Sequence, residues 1–261
     1  MTANTNSGHV VWHDLLTHDV AKARAFYGEL LGWAYEVEHA TDFVWKSGEA
    51  DYPLIMADGQ AHGGFVEIGA GETPRWLAFV SVADVNATTD KAKAHNASVQ
   101  KPPFDVPGVG RSSVICDAQG AMICPYIASH DYPPPKGVFI WDELLTERPD
   151  EAAAFYSMLF DWTCKTTHVG AQGDYVSYAA KDGTPVAGGM HFQSSKTALA
   201  QWVPYIAVSD VDATVMLAKS LGGHVVMPAT SIEHVGHSAL LEDPTGAMFG
   251  ILLRRGHIRG R

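Results

Sequence analysis

The chain has 261 residues, 46% of them hydrophobic, which is enough for one large domain or two smaller ones that each bury a core. Lys and Arg total 18 against 29 Asp and Glu, a formal net charge of −11, and this balance argues against binding a phosphate backbone. Three cysteines without a C-x-x-C pair exclude a disulfide framework, and no apolar run is long enough to span a membrane. The opening segment MTANTNSGHVV lacks the charged and apolar regions of a secretory leader, so a cytoplasmic location is expected.

Val10 to Thr17 suits a short strand, with Trp12, Asp14 and Leu16 on one face and Val11, His13 and Leu15 on the other. Asp19 then offers an N-cap, and Val20, Ala23, Phe26, Leu30 and Leu31 recur at helical spacing until Gly32 ends the element. Short runs around Phe43-Val44-Trp45, Pro53 to Met56 and Phe65 to Ile68 read as a three-strand meander, giving a first βαβββ module. The order returns with a strand at Trp76 to Val82, a helix opening at Asp84 and strands at Val99, Ser112 to Cys116 and Ala121 to Ile127.

The stretch Val11 to Trp33 recurs without a gap as Ile140 to Trp162, so Trp12 matches Trp141, Asp14 matches Glu143 and Phe26-Tyr27 matches Phe155-Tyr156. The chain is a tandem duplication. Its expected organisation is a first domain at 9–129, a stiff Pro-rich connector at 130–137 and a second domain at 138–255, four βαβββ modules in all. In this reading Gly188-Gly189 answers Gly63-Gly64, both explained by close strand packing or bulges. The fold class is α+β, with mixed sheets curved into two half-open cups that should hold any ligand. The basic tail from Arg254 to Arg261 reads as a disordered end.

The strand, the Phe-Tyr-x-x-Leu-x-x-Trp helix, the Val-x-Asp-Val opening of the second module and the Asp-x-x-Gly-Ala before the last strand resemble the vicinal oxygen chelate superfamily. That group includes glyoxalase I, extradiol dioxygenases and the bleomycin- and fosfomycin-resistance proteins. The resemblance covers both halves and is closest to tandem, two-domain glyoxalase-like proteins. It implies metal ligands on the first strand of each module and on late strands. Those positions fall at Trp12, Leu77 and Cys124 in the first half and Trp141, Val203 and Gly250 in the second, so neither half keeps the His/Glu set.

Asp14 and Glu143 are the catalytic candidates, each a carboxylate beside a tryptophan on the expected cup face. A buried carboxylate needs a partner, and Arg75 or Arg111 could pair with Asp14 as a purely structural ion pair. Trp12 and Trp141 could stack on a planar ligand or fill a core, with Phe79, Tyr205, Met122 and Met248 as further lining and Arg111 and His237 at the rim. Among thirteen histidines, His13, His62, His191, His234 and His237 raise the question of a metal. A one-residue slip or bulge in the first strand would turn His13 into the cup, where His62 or Glu67 could complete a site.

Three functions follow. The first is a metal-free protein that binds an apolar or aromatic metabolite or antibiotic, with no cofactor expected. The second is a glyoxalase-type lyase or extradiol-type dioxygenase using divalent Zn, Ni, Fe or Mn. The third is a metal-free isomerase or lyase using Asp14 or Glu143 as acid or base. The expected partner is a small molecule, with no nucleic acid and no membrane, on a monomer or homodimer.

Overall fold

A computed structural model describes residues 6–43, 46–169, 173–192 and 200–255. The first half runs β1 (Val10–Thr17), α1 (Val20–Leu31), β2 (Ala34–Phe43), β3 (Lys46–Ala57) and β4 (Gln60–Glu67), then β5 (Arg75–Ser81), α2 (Val85–Ala94), β6 (Ser98–Val106), β7 (Gly110–Cys116) and β8 (Met122–Ala128). The second half repeats it as β9 (Phe139–Thr146), α3 (Pro149–Phe160), β10 (Thr163–His168), β11 (Asp174–Ala179) and β12 (Pro185–His191), then β13 (Gln201–Ala207), α4 (Val211–Ser220), β14 (His224–Ile232), β15 (Gly236–Glu242) and β16 (Met248–Arg254). The helices begin as their sequences dictate. Asp19, Asp84 and Asp210 each accept a backbone N–H from the first turn, and α3 starts instead on Pro149.

Each half forms one eight-stranded mixed sheet, β2-β3-β4-β1-β5-β8-β7-β6 and β10-β11-β12-β9-β13-β16-β15-β14. Adjacent modules therefore share a sheet, joined by the antiparallel pairs β1–β5 and β9–β13. The run Phe43-Val44-Trp45 is not a strand of its own: Phe43 ends β2 opposite Lys46 of β3, while Val44 and Trp45 lie outside the described residues. The basic tail from Gly256 onward lies outside them as well. No helix among the described residues is long and apolar enough to cross a membrane.

The helices lie on one face of each sheet, and these faces meet. Helix α1 touches α4, α2 touches α3, and the central strands β5 and β13 approach each other. One core joins Leu15, Phe26, Tyr27, Trp33 and Trp76 of the first half to Val211, Leu241 and Phe249 of the second; another joins Val80, Ile115 and Ile123 to Tyr156, Trp162 and Trp202. The opposite faces carry smaller clusters, one with Leu16, Val66, Leu77, Phe79 and Cys124 and one with Leu145, Val203, Leu240 and Met248. These are the floors of the two cups.

The register fixes which glycines correspond. Asp14 lies opposite Gly64 and Glu143 opposite Gly188, so Gly188 is the counterpart of Gly64 rather than of Gly63. The dipeptides match in sequence, but the strand pairing shifts them by one residue.

Candidate functional site

Strand alternation places Trp12, Asp14 and Leu16 toward the first cup, and the floor beneath them is apolar. Asp14 is 4% exposed, yet it is not paired with an arginine. Its Oδ1 accepts from Trp12 Nε1 at 3.0 Å and from the Tyr52 hydroxyl at 2.6 Å, and the Gly64 amide also bonds to the carboxylate. Trp12 Nε1 lies 3.0 Å from the same tyrosine oxygen. Burial dominates these donors and pushes the carboxyl up to about 6, because a charge in an apolar floor loses its hydration.

Gly64 makes this arrangement possible. A Cβ there would overlap the ring and hydroxyl of Tyr52, so only glycine lets the tyrosine cross β4 to reach Asp14. The second cup repeats the device: Trp141 Nε1 donates to the Tyr175 hydroxyl at 3.0 Å, Tyr175 bonds to Glu143, and a Cβ on Gly188 would overlap Tyr175. Burial raises the Glu143 carboxyl too. Tyr52 and Tyr175 were not singled out by sequence reasoning. The usable signal is a strand tyrosine two residues before the register partner of a glycine that itself lies opposite the first-strand carboxylate.

The cups are not identical. Tyr205 donates to Glu143 Oε2 at 2.7 Å, whereas its counterpart Phe79 has no hydroxyl and packs edge-on against Tyr126 at 6.1 Å. Met248 is buried and its counterpart Met122 half-buried. At the mouth of the first cup, Trp12, Tyr52, Phe104, Met122 and Tyr126 remain partly exposed above the buried floor.

Other candidate residues lie elsewhere. Arg111 binds Asp105 at 2.7 Å and Asn86 Oδ1 through Nε and Nη2. His237 reaches Ser231 at 3.1 Å and Asp212 at 3.2 Å, so both tie an outer strand to a helix rather than line a cup. Arg75 donates to the Thr73 carbonyl. A bulge does interrupt the β1–β5 pairing between Val10 and Trp12, yet His13 stays on the helix-bearing face. There its Nε2 meets Asp142 Oδ1 at 2.8 Å and its ring stacks on Phe139 at 4.2 Å. His62 is buried against the Ala57 carbonyl, and burial lowers its pKa. Glu67 lines an open cleft of about 780 Å³ beside the start of α1, with His18, Arg24, His39 and Asp51, apart from the Trp12–Asp14–Tyr52 cluster. His191 ends β12 opposite Thr146, and His234 sits in the β14–β15 turn with a positive φ of 63°.

The donors do not suit a divalent metal. The positions that would carry ligands hold Trp12, Leu77 and Cys124, and burial raises the Cys124 thiol so that it keeps its proton. Among the described residues Asp14 is the one carboxylate of that floor, and Trp12, Tyr52 and the Gly64 amide already bond to it. No three His, Cys, Asp or Glu side chains come together among the described residues. Zinc, nickel, iron and manganese sites need more nitrogen, sulfur or carboxylate ligands than this.

The repeated family signature has a different purpose. Tyr27 of α1 donates to Asp243 Oδ2 at 3.0 Å, and Tyr156 of α3 donates to Asp117 Oδ2 at 2.8 Å. Each helix tyrosine thus reaches the Asp-x-x-Gly-Ala turn of the opposite half, where the other carboxylate oxygen accepts turn N–H groups.

Residues 7–124 and 141–251 match the family model described as the Glyoxalase/Bleomycin resistance protein/Dioxygenase superfamily. The putative glyoxylase CFP32 of Mycobacterium tuberculosis is 33% identical over 249 residues, covering 92% of this chain and 93% of its own. The anthracycline biosynthesis protein DnrV of Streptomyces peucetius is 28% identical over 270 residues, covering 96% and 95%. Among solved structures, 2,2',3-trihydroxybiphenyl 1,2-dioxygenase of Sphingomonas wittichii aligns with a TM-score of 0.64 at 13% identity, over 97% of this chain and 94% of that one. At that identity the likeness is one of fold alone.

Proposed function

The chain belongs to the Glyoxalase/Bleomycin resistance protein/Dioxygenase superfamily, and from that premise we propose that it binds a planar apolar or aromatic small molecule in its first cup without a resident metal. The observation that carries this reading is the Trp12–Tyr52–Asp14 cluster: a half-buried aromatic wall beside a buried, hydrogen-bonded carboxylate, at the place where metal-using relatives would need ligands. Trp12 offers a face for stacking and Asp14 accepts a hydrogen bond from the ligand, while Leu16, Leu77 and Phe79 supply an apolar floor. The name of DnrV, an anthracycline biosynthesis protein, agrees with an aromatic ligand.

The elevated Asp14 supports a second reading, acid or base catalysis near neutral pH on the same ligand. Thermal-shift and tryptophan-fluorescence titrations with a panel of aromatic metabolites and antibiotics test binding; W12A and D14N are expected to abolish the response. A panel without a single stabilising ligand would sink the proposal. Turnover of a bound ligand that disappears in D14N would establish the catalytic reading, and metal analysis of untagged protein showing one bound divalent ion per chain would replace both.

A further inference from the structure

We infer that the second cup is filled by its own chain, with Tyr205 standing where a ligand would lie, so that each molecule offers one ligand site, the first cup, suited to an aromatic hydroxyl compound. This rests on the binding reading above and specifies its ligand.

Three differences between the cups act together. Tyr205 replaces Phe79, Gly250 replaces Cys124, and Glu143 replaces Asp14, each pair matched by strand register. The tyrosine ring lies over Gly250, where a Cβ would overlap its Cγ, Cδ1 and Cε1 atoms. The longer Glu143 side chain then meets the phenolic hydroxyl at 2.7 Å. The missing Cβ at Gly250 admits the ring and the added hydroxyl supplies the donor, while the acid is one methylene longer than Asp14. Met248, packed with Leu145, Val203 and Leu240, is buried, while Met122 in the first cup stays half-buried.

In the first cup none of the three changes is present. Cys124 keeps its Cβ, Phe79 turns to Tyr126, and Asp14 has no partner from the floor side chains; its donors are Trp12, Tyr52 and the Gly64 amide. A carboxylate offers about four acceptor sites, so three donors leave room for another. Tyr205 displays the group that this geometry accepts: an aromatic ring lying in the floor with its O–H donating to the acid. The complementary ligand of the first cup is therefore a phenol rather than an aryl ether or a plain arene.

Isothermal titration of the full-length chain with naphthol, and with methoxynaphthalene as the ether control, tests this. The expected result is one equivalent of naphthol on the wild type, about tenfold weaker binding of the ether, and a second equivalent on Y205A that is lost again in Y205A/E143Q. Two equivalents on the wild type, one on a folded Y205A, or equal affinity for the ether would overturn the inference. If Y205A fails to fold, the triple variant F79Y/C124G/D14E carries the filling device into the first cup and is expected to bind none; retained binding there overturns the inference as well. Uptake by Y205A alone, with none by the wild type, would uphold the filling of the second cup and refute the proposed role of the first.

Discussion

His13 and Asp142 occupy the same position in the two copies of the duplicated segment, and they are hydrogen-bonded to each other at 2.8 Å across the contact between the halves. Both side chains are 6% exposed, so each satisfies a polar group that neither half could satisfy alone. H13A leaves a buried carboxylate unpartnered and is expected to cost roughly 3–5 kcal/mol in urea denaturation. H13D should be at least as damaging, because it sets two carboxylates face to face. The exchange H13D/D142H should recover part of the loss, and a cycle in which it recovers nothing would rule out a direct pair.

Gly64 and Tyr52 form a second testable couple. G64A is expected to expel Tyr52 from Asp14 and to destabilise the protein by about 1–3 kcal/mol, the usual cost of overpacking. Combined with Y52A, the added methyl meets no ring, so the double variant should be much less unstable than the sum of the singles. Strict additivity in thermal unfolding would contradict the contact.

The buried Asp14 gives a pH dependence with a definite sign. Its folded-state carboxyl is raised to about 6 from an ordinary value of 3.8, so between those limits the folded protein holds more protons than the unfolded chain. Stability from this group is therefore highest below about pH 4 and falls as pH rises toward and past 6. A shift of about two units corresponds to about 3 kcal/mol. D14N should remove that slope, and the difference between wild-type and D14N stability measured from pH 4 to pH 8 reads it directly. Naphthol binding, which needs the ionised acceptor, should weaken below pH 6 over the same range.

Tyr27–Asp243 and Tyr156–Asp117 provide a matched pair of cross-half bonds. Y27F and Y156F each remove one hydroxyl from a buried carboxylate and should lower stability by roughly 1–3 kcal/mol. Since the bonds are far apart in the chain and share no partner, the double variant should be close to additive by denaturant midpoint.

Much of this was readable from residue order. Period-two alternation correctly set Trp12, Asp14 and Leu16 on one face, and the repeated Phe-Tyr and Asp-x-x-Gly-Ala signatures located the modules. Arg111 and His237 matched each other in sequence, and alternation along the regular strands β7 and β15 from Ile115 and Leu241, which pack in the cores between the halves, turns both away from the cups. The partner of Asp14 was hidden because Tyr52 lies two strands away, brought close only by the β3–β4 hairpin and the missing side chain at Gly64. The pairing of His13 with Asp142 required knowing that the helix-bearing faces meet, which no local pattern encodes.

The crossed tyrosine bonds also bear on how the two copies can diverge. A change at Asp243 is felt by Tyr27, more than two hundred residues earlier, and not by Tyr156 within its own copy. Selection is therefore expected to act on diagonal pairs, with the first copy held to its sequence by the second. Among relatives with this architecture, substitutions at position 27 should be accompanied by substitutions at 243, and those at 156 by 117, so that the duplication is inherited as one interlocked unit rather than as two domains free to drift.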